Sequence, residues 1–244
     1  TYSMIPQASL KSKPVGNCYG NSGNNQRIHL SRRSGRFLIV SFLRRPGDAN
    51  SLSCYGVDLT AQASDSIEYQ GSCFSICGVN GQGLLTPEHF GETPVMMSTA
   101  CWRGYICTYA IEDSRLLLSG LIFRNESNTY ASINDVNPSR KNIFEAGEYE
   151  GLNEPCPFSG GLLIADGFIR DLYVHMGFHP AWKFETVHEL IFDNGKLIKE
   201  RDCSEFMSQI RQEMSGSKMQ PDHTDSRKRI EEWVKQTFTL DYKL

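Results

Sequence analysis

The chain has 244 residues, of which 39% are hydrophobic, 22% charged and 11% aromatic. This excludes a wholly disordered polymer and allows one sizeable core. The formal charge of −3 excludes bulk attraction to nucleic acid or to an anionic membrane as the organising force. No apolar run reaches the roughly 20 residues that cross a bilayer as a helix.

The amino end reads as an irregular basic arm over 1–35, rich in Ser, Asn and Gly as in Gly16-Asn-Cys-Tyr-Gly-Asn-Ser-Gly-Asn-Asn25. Its opening residues lack the basic-then-apolar order of a signal peptide, so a cytoplasmic location is expected. Residues 1–55 hold Lys11, Lys13, Arg27, Arg32, Arg33, Arg36, Arg44 and Arg45 against Asp48 alone, leaving the remainder acidic. Such an arm suits an acidic partner or a return onto its own acidic domain.

A β-rich core is expected over 36–200. Phe37–Leu43 is the first strand pattern, ended by Arg44-Arg-Pro-Gly47, and Ser53–Leu59 is a second. Ile67–Cys77 suits one or two strands, and Gly78-Val-Asn-Gly-Gln-Gly83 a turn-rich loop without the ending of a phosphate loop. Trp102–Tyr109 carries aromatic or apolar groups on both faces, as a central strand does. A connection at Ala110–Arg115 then leads to a return strand, Leu116–Phe123. Residues 125–149 are polar and suit a long excursion. Two further hairpins are expected, turning at Asp166-Gly167 and at Asn194-Gly195, where the residues tolerate positive φ. Residues 201–244 change period. Cys203, Phe206, Met207, Ile210 and Met214 define one amphipathic helix, and Ile230, Trp233, Val234 and Phe238 a second. The architecture expected is α+β: a mainly antiparallel, strongly curved sheet or incomplete β-barrel with C-terminal helices packed on it.

Cys101-Trp-Arg-Gly-Tyr-Ile-Cys-Thr-Tyr109, with its Asp-containing hairpin and Leu-rich return, resembles an uncharacterised group of bacterial proteins. Tyr173-Val-His-Met-Gly177, Glu189-Leu190 and Asn194-Gly195 follow in the same order. The resemblance covers about 90–200 and departs at Cys107 and Tyr109, where small and Trp residues are usual. It carries no known activity to this chain.

Eight cysteines stand at 18, 54, 73, 77, 101, 107, 156 and 203. A chain of this length does not need disulfides, so reduced, mostly buried thiols are expected. Cys73 and Cys77 have a ligand-like spacing that no second cysteine pair completes. A metal at His175, His179 and His188 would need a turn at Gly177–Pro180, and no metal or cofactor is expected. Arg103, Tyr105, Tyr173 and His175 are the candidate ligand-binding residues: a guanidinium among aromatic rings can hold an anion. The structural alternative for Arg103 is an ion pair with Asp113 or Asp171. Cys101, Cys107 or Cys156 could pair with His175 as a nucleophile, but no catalytic motif frames them. Asp166, Asp171 and Glu189 read as solvated turn carboxylates.

The expected function is therefore a non-enzymatic recognition or protein-interaction domain with an unidentified protein partner, one concrete form being bacterial and immunity-like. The alternative is a small-molecule-binding or hydrolytic protein with a pocket near Arg103, Tyr105, Tyr173 and His175.

Overall fold

Alternating apolar residues place about half of 66–202 in strands. The computed structural model describes residues 61–139, 144–214, 221–222 and 224–242. The basic arm and the strand patterns at 37–43 and 53–59 lie outside them. The strands are β1 (Ser66–Tyr69), β2 (Ser72–Gln82), β3 (Tyr105–Glu112), β4 (Arg115–Phe123), β5 (Gly147–Pro155), β6 (Ser159–Phe168), β7 (Phe184–Asp193) and β8 (Lys196–Asp202). Their hydrogen-bonded order is β3-β1-β2-β6-β7-β8-β4, and β4 pairs back to β3, so seven strands close into a ring. β5 is an eighth strand on β4. All pairings are antiparallel except β1 with β3. The fold is a barrel-like, mainly antiparallel α+β sheet with two C-terminal helices.

The ring follows from two-residue periodicity. Phe74 and Ile76 of β2, Leu162 and Ile164 of β6, and Leu190 and Phe192 of β7 join Ile67, Tyr109, Leu116 and Leu118 in one buried cluster. The intervening Leu163, Ala165 and Val187 face a second cluster with Cys77, Phe184, Cys203 and Met207. Both faces of β6 are thus covered, which is why Leu162-Leu-Ile-Ala165 is continuously apolar. Each fully buried Leu or Ile contributes about 1.5–3 kcal/mol, and Leu190→Ala is expected to cost about 2–5 kcal/mol.

Closure rests on a narrow seam. β8 meets β4 through one residue pair, Lys196 with Arg115. The seam is reinforced where Leu116 N–H donates to Gly195 O at 2.8 Å and Leu197 N–H to Ser114 O at 2.8 Å. The Asn194-Gly195 hairpin stands as expected, with φ of 44° and 76°.

Two expected turns are corrected. Gly78–Gln82 continues β2: Gly81 and Gly160 lie where the β2 and β6 backbones approach, and a Cβ at Gly81 would come within 2.3 Å of Ser159 O. Asp166-Gly167 lies inside β6, with Asp166 opposite Thr186 and Phe168 opposite Phe184. Gly167 takes its positive φ within the ladder, and the chain continues into a 3-10 turn at Arg170–Leu172. The polar excursion runs without a named strand among its described residues until Gly147, where β5 begins.

Helix α1 (Ser204–Met214) packs Met207 and Ile210 on the outer cluster, whereas Phe206, expected on the same stripe, is exposed. Asp202 Oδ1 accepts from the N–H and hydroxyl of Ser204 at 2.9 and 2.6 Å, fixing the helix start. Arg211 donates to Trp182 O and Phe184 O at 2.8 and 2.6 Å, fixing its end. Helix α2 (Arg227–Thr237) starts at Ser226, whose hydroxyl accepts from Arg229 N–H. None of its residues is fully buried; on the expected apolar stripe Ile230 and Trp233 are half-buried and Val234 is exposed. Neither helix is long and apolar enough to cross a membrane, and no other helix among the described residues is.

Candidate functional site

The segment preceding β3 is shaped by Gly104. Its φ is +79°, and a Cβ there would lie 2.2 Å from Val95 O, so only glycine fits. This turn presents Trp102 and Arg103 beside the segment that enters β1. Asp65 Oδ2 accepts from Arg103 Nη1 at 2.8 Å, and Oδ1 accepts from Nη2 at 2.7 Å and from Cys107 N–H at 2.6 Å. Arg103 therefore has an acid partner in Asp65, not in Asp113 or Asp171. Burial opposes the guanidinium charge, but Asp65 outweighs it and holds Arg103 protonated. The guanidinium carbon lies 4.7 Å from the Tyr105 ring centroid and 5.7 Å from that of Phe178. Burial pushes the Tyr105 phenol up to about 12, with Arg103 pulling the other way.

These residues wall a cavity of about 430 Å³. Gln62, Trp102, Phe178 and the tail residues Phe238–Leu240 complete most of its lining. Trp102 stacks on Phe238, ring centroids 5.3 Å apart and planes 21° from parallel, while remaining 58% exposed. The 177–178 turn is tied in from both sides: Gln62 N–H donates to Gly177 O and Phe178 N–H to Thr237 O.

Of the four candidate ligand-binding residues, Arg103 and Tyr105 line this cavity, and Tyr173 and His175 are not in its wall. Residues 173–179 form no strand. Tyr173 and His175 meet edge to face at 4.9 Å, and Tyr173 also contacts Phe168 and His179. His179 lies 4.5 Å from the Phe168 ring, with both ring nitrogens buried and without a hydrogen-bond partner. His188 has different surroundings: Phe74 packs edge-on against it, and Glu200 Oε1 is 3.3 Å from Nδ1. Tyr69 donates to the other Glu200 oxygen at 2.6 Å. Among the described residues no group of three or more His, Cys, Asp or Glu is placed to hold a metal ion.

The cysteines divide. Cys73 is disulfide-bonded, which corrects the expectation of reduced thiols for that residue. Cys77, Cys101, Cys107, Cys156 and Cys203 are free and buried. Burial pushes all five thiols up, which disfavours the thiolate needed for nucleophilic attack at neutral pH.

Sequence reading missed Asp65, Phe178 and Phe238, the residues that turn Arg103 into a cluster. Asp65 lies in the aperiodic Ala61-Gln-Ala-Ser-Asp65, and Phe238 is 135 positions beyond Arg103. No local signal links them. No family model, curated protein or solved structure matches this chain.

Proposed function

We propose that the chain is a non-enzymatic recognition domain that contacts a protein partner through the aromatic rim around Arg103. The observation that carries this reading is Trp102, more than half exposed yet stacked against Phe238. Fixed Trp, Tyr and Arg side chains are the residue types that dominate binding energy at protein interfaces, because they bury large areas at small entropic cost. Further exposed apolar side chains lie on segments bordering the rim: Met96 beside Val95, Met176 beside Gly177, and Val234 one helical turn before Phe238. The Arg103–Asp65 pair is already neutralised, so it supports the rim without demanding a charged ligand.

The test is site-specific photo-crosslinking in source cells from position 102, with position 198 on β8 as control, followed by binding of the purified partner. A discrete adduct from position 102, with affinity falling about tenfold or more in Trp102→Ala at unchanged stability, is expected. Equal adducts from both positions, or unchanged affinity, would overturn the reading.

The cavity favours a second reading, a small planar ligand seated between Tyr105, Phe178 and Phe238. It predicts saturable binding that Phe178→Ala abolishes and Trp102→Ala only weakens.

A further inference from the structure

The tail after α2 lies along a sheet edge. β1 covers β2 only from Ser72 to Ser75. Beyond that, on the edge away from β6, Val79 N–H donates to Leu240 O at 2.7 Å, and Asp241 bridges Val79 in parallel. The Tyr242 ring then crosses the outer face over two glycines. A Cβ on Gly78 would lie 2.8 Å from its Cδ1, and one on Gly161 would lie 2.1 Å from its hydroxyl oxygen. Leu163 and Ile191 stand beside these glycines. At the end of the slot the Tyr242 hydroxyl donates to Glu189 Oε1 at 3.2 Å, while Arg201 Nη2 holds Glu189 Oε2 at 2.6 Å. Burial, and then Glu189, push the phenol up, keeping it a donor.

One backbone bond and one bridge at Val79, with a side-chain slot beside them, are the two parts that strand-addition recognition uses: an edge for affinity and a pocket for specificity. Open space of about 590 Å³ continues beside the tail along Val79, Asn80, Gly81 and Gln82. The tail reaches this edge through α2, none of whose residues is fully buried, and it is seated by Trp102 on Phe238, by the Val79–Leu240 bond and by the Tyr242–Glu189 bond. We infer that the β2 edge and the Gly78–Gly161 slot form a β-augmentation site for an extended partner segment bearing a tyrosine two residues after an apolar residue. The chain's own Leu240-Asp-Tyr242 is the resident stand-in. The segment runs parallel to β2, its phenol donating to Glu189. Phenylalanine loses that bond, and phosphotyrosine is rejected because Glu189 would face a second anion. The site shares Val79 and Leu240 with the cavity beneath the aromatic rim, but this inference does not rest on the function proposed there.

The test uses the full chain and a capped synthetic peptide, Thr-Phe-Thr-Leu-Asp-Tyr, read by fluorescence anisotropy. Tyr242→Ala weakens the resident tail and is expected to bind the peptide about tenfold or more tightly than wild type does. A peptide ending in Phe should bind about fivefold or more weakly, and a phosphotyrosine peptide should not bind. Glu189→Gln in the Tyr242→Ala background should reduce the preference for Tyr over Phe. Gly161→Val should abolish binding while circular dichroism is unchanged. Should Tyr242→Ala fail to fold, Tyr242→Phe, which keeps the ring and removes only the hydroxyl, replaces it. No saturable binding up to about 1 mM peptide, or equal affinity for Tyr and Phe peptides, overturns the inference. A concentration-dependent wild-type dimer that exchanges tails also overturns it, by making the occupant a second copy.

Discussion

Asp65 and Arg103 share two hydrogen bonds, and the same carboxylate carries the Cys107 N–H. With Asp65 8% exposed and Arg103 21% exposed at the side chain, the pair joins the β1 entrance to the start of β3 at the one parallel joint of the ring. Removing one partner strands the other charge. Asp65→Asn is expected to cost about 3 kcal/mol, read as a lower urea midpoint at unchanged slope. Coupling it with Arg103→Met should recover part of that loss. Additive losses in the double variant would show that the pairing is not their source.

The seam between β8 and β4 gives a second expectation. Gly195 has φ +76°, a Cβ there would lie 2.4 Å from Cys156 O, and its N–H donates to Phe158 O. Gly195→Ala therefore strains both the hairpin and the closure, and a loss of about 2 kcal/mol or more is expected in thermal or urea unfolding. Gly151, whose added Cβ would meet nothing within 4 Å, is the control for positive φ alone, and its alanine variant should cost less.

Helix α2 should respond locally. Ser226→Ala removes the cap and is expected to destabilise the helix by about 1 kcal/mol. Because none of the α2 residues is fully buried, hydrogen exchange should quicken over 227–237 while β6 and β7 keep their protection. A matching loss in β6 and β7 would mean that the helix is integral to the barrel.

The pH dependence has two limbs. Burial first, and then Lys183, hold His179 down at about 4, against about 6.5 for the free side chain. The unfolded chain binds that proton more readily. The His179 contribution is therefore complete above about pH 6.5 and is lost as pH falls towards about 4. Burial holds Lys183 down at about 8 against about 10.5, so stability rises as pH passes from about 8 to about 10.5. Urea midpoints across pH should show the acid limb flattened by His179→Leu and the alkaline limb flattened by Lys183→Met.

Legibility in the sequence followed the range of the interaction. The Asn194-Gly195 hairpin, the strand pattern of Leu116–Phe123 and the α1 stripe were readable because periodicity and turn chemistry are local. Asp166-Gly167 carried the same turn signature yet continues β6, because pairing with Thr186 and Phe184 overrides the local preference. Half of the candidate ligand-binding set, Arg103 and Tyr105, was brought to the cavity by three residues of Trp-Arg-Gly-Tyr spacing. Its other walls come from Asp65, Phe178 and Phe238, which are distant in sequence and are brought together by bonds such as Gln62 N–H to Gly177 O and Phe178 N–H to Thr237 O. The Tyr69–Glu200–His188 contact was hidden for the same reason: three strands contribute one residue each.

The seam that closes the ring reaches only the first two residues of β8, Lys196 by pairing with Arg115 and Leu197 by its bond to Ser114 O. Among the described residues, the side of β8 facing away from β7 has no strand neighbour from Ile198 to Asp202. That stretch would invite another chain to add itself, were it not for Lys199, Glu200, Arg201 and Asp202. Charged side chains on a bare edge make a stacked neighbour bring like charges together or strip them of water. Resistance to edge pairing is thus lodged in a run of residues that contributes little to the core. Neutralising Lys199 and Arg201 beside the exposed Ile198 would leave the fold in place and turn a guarded border into a template for growth.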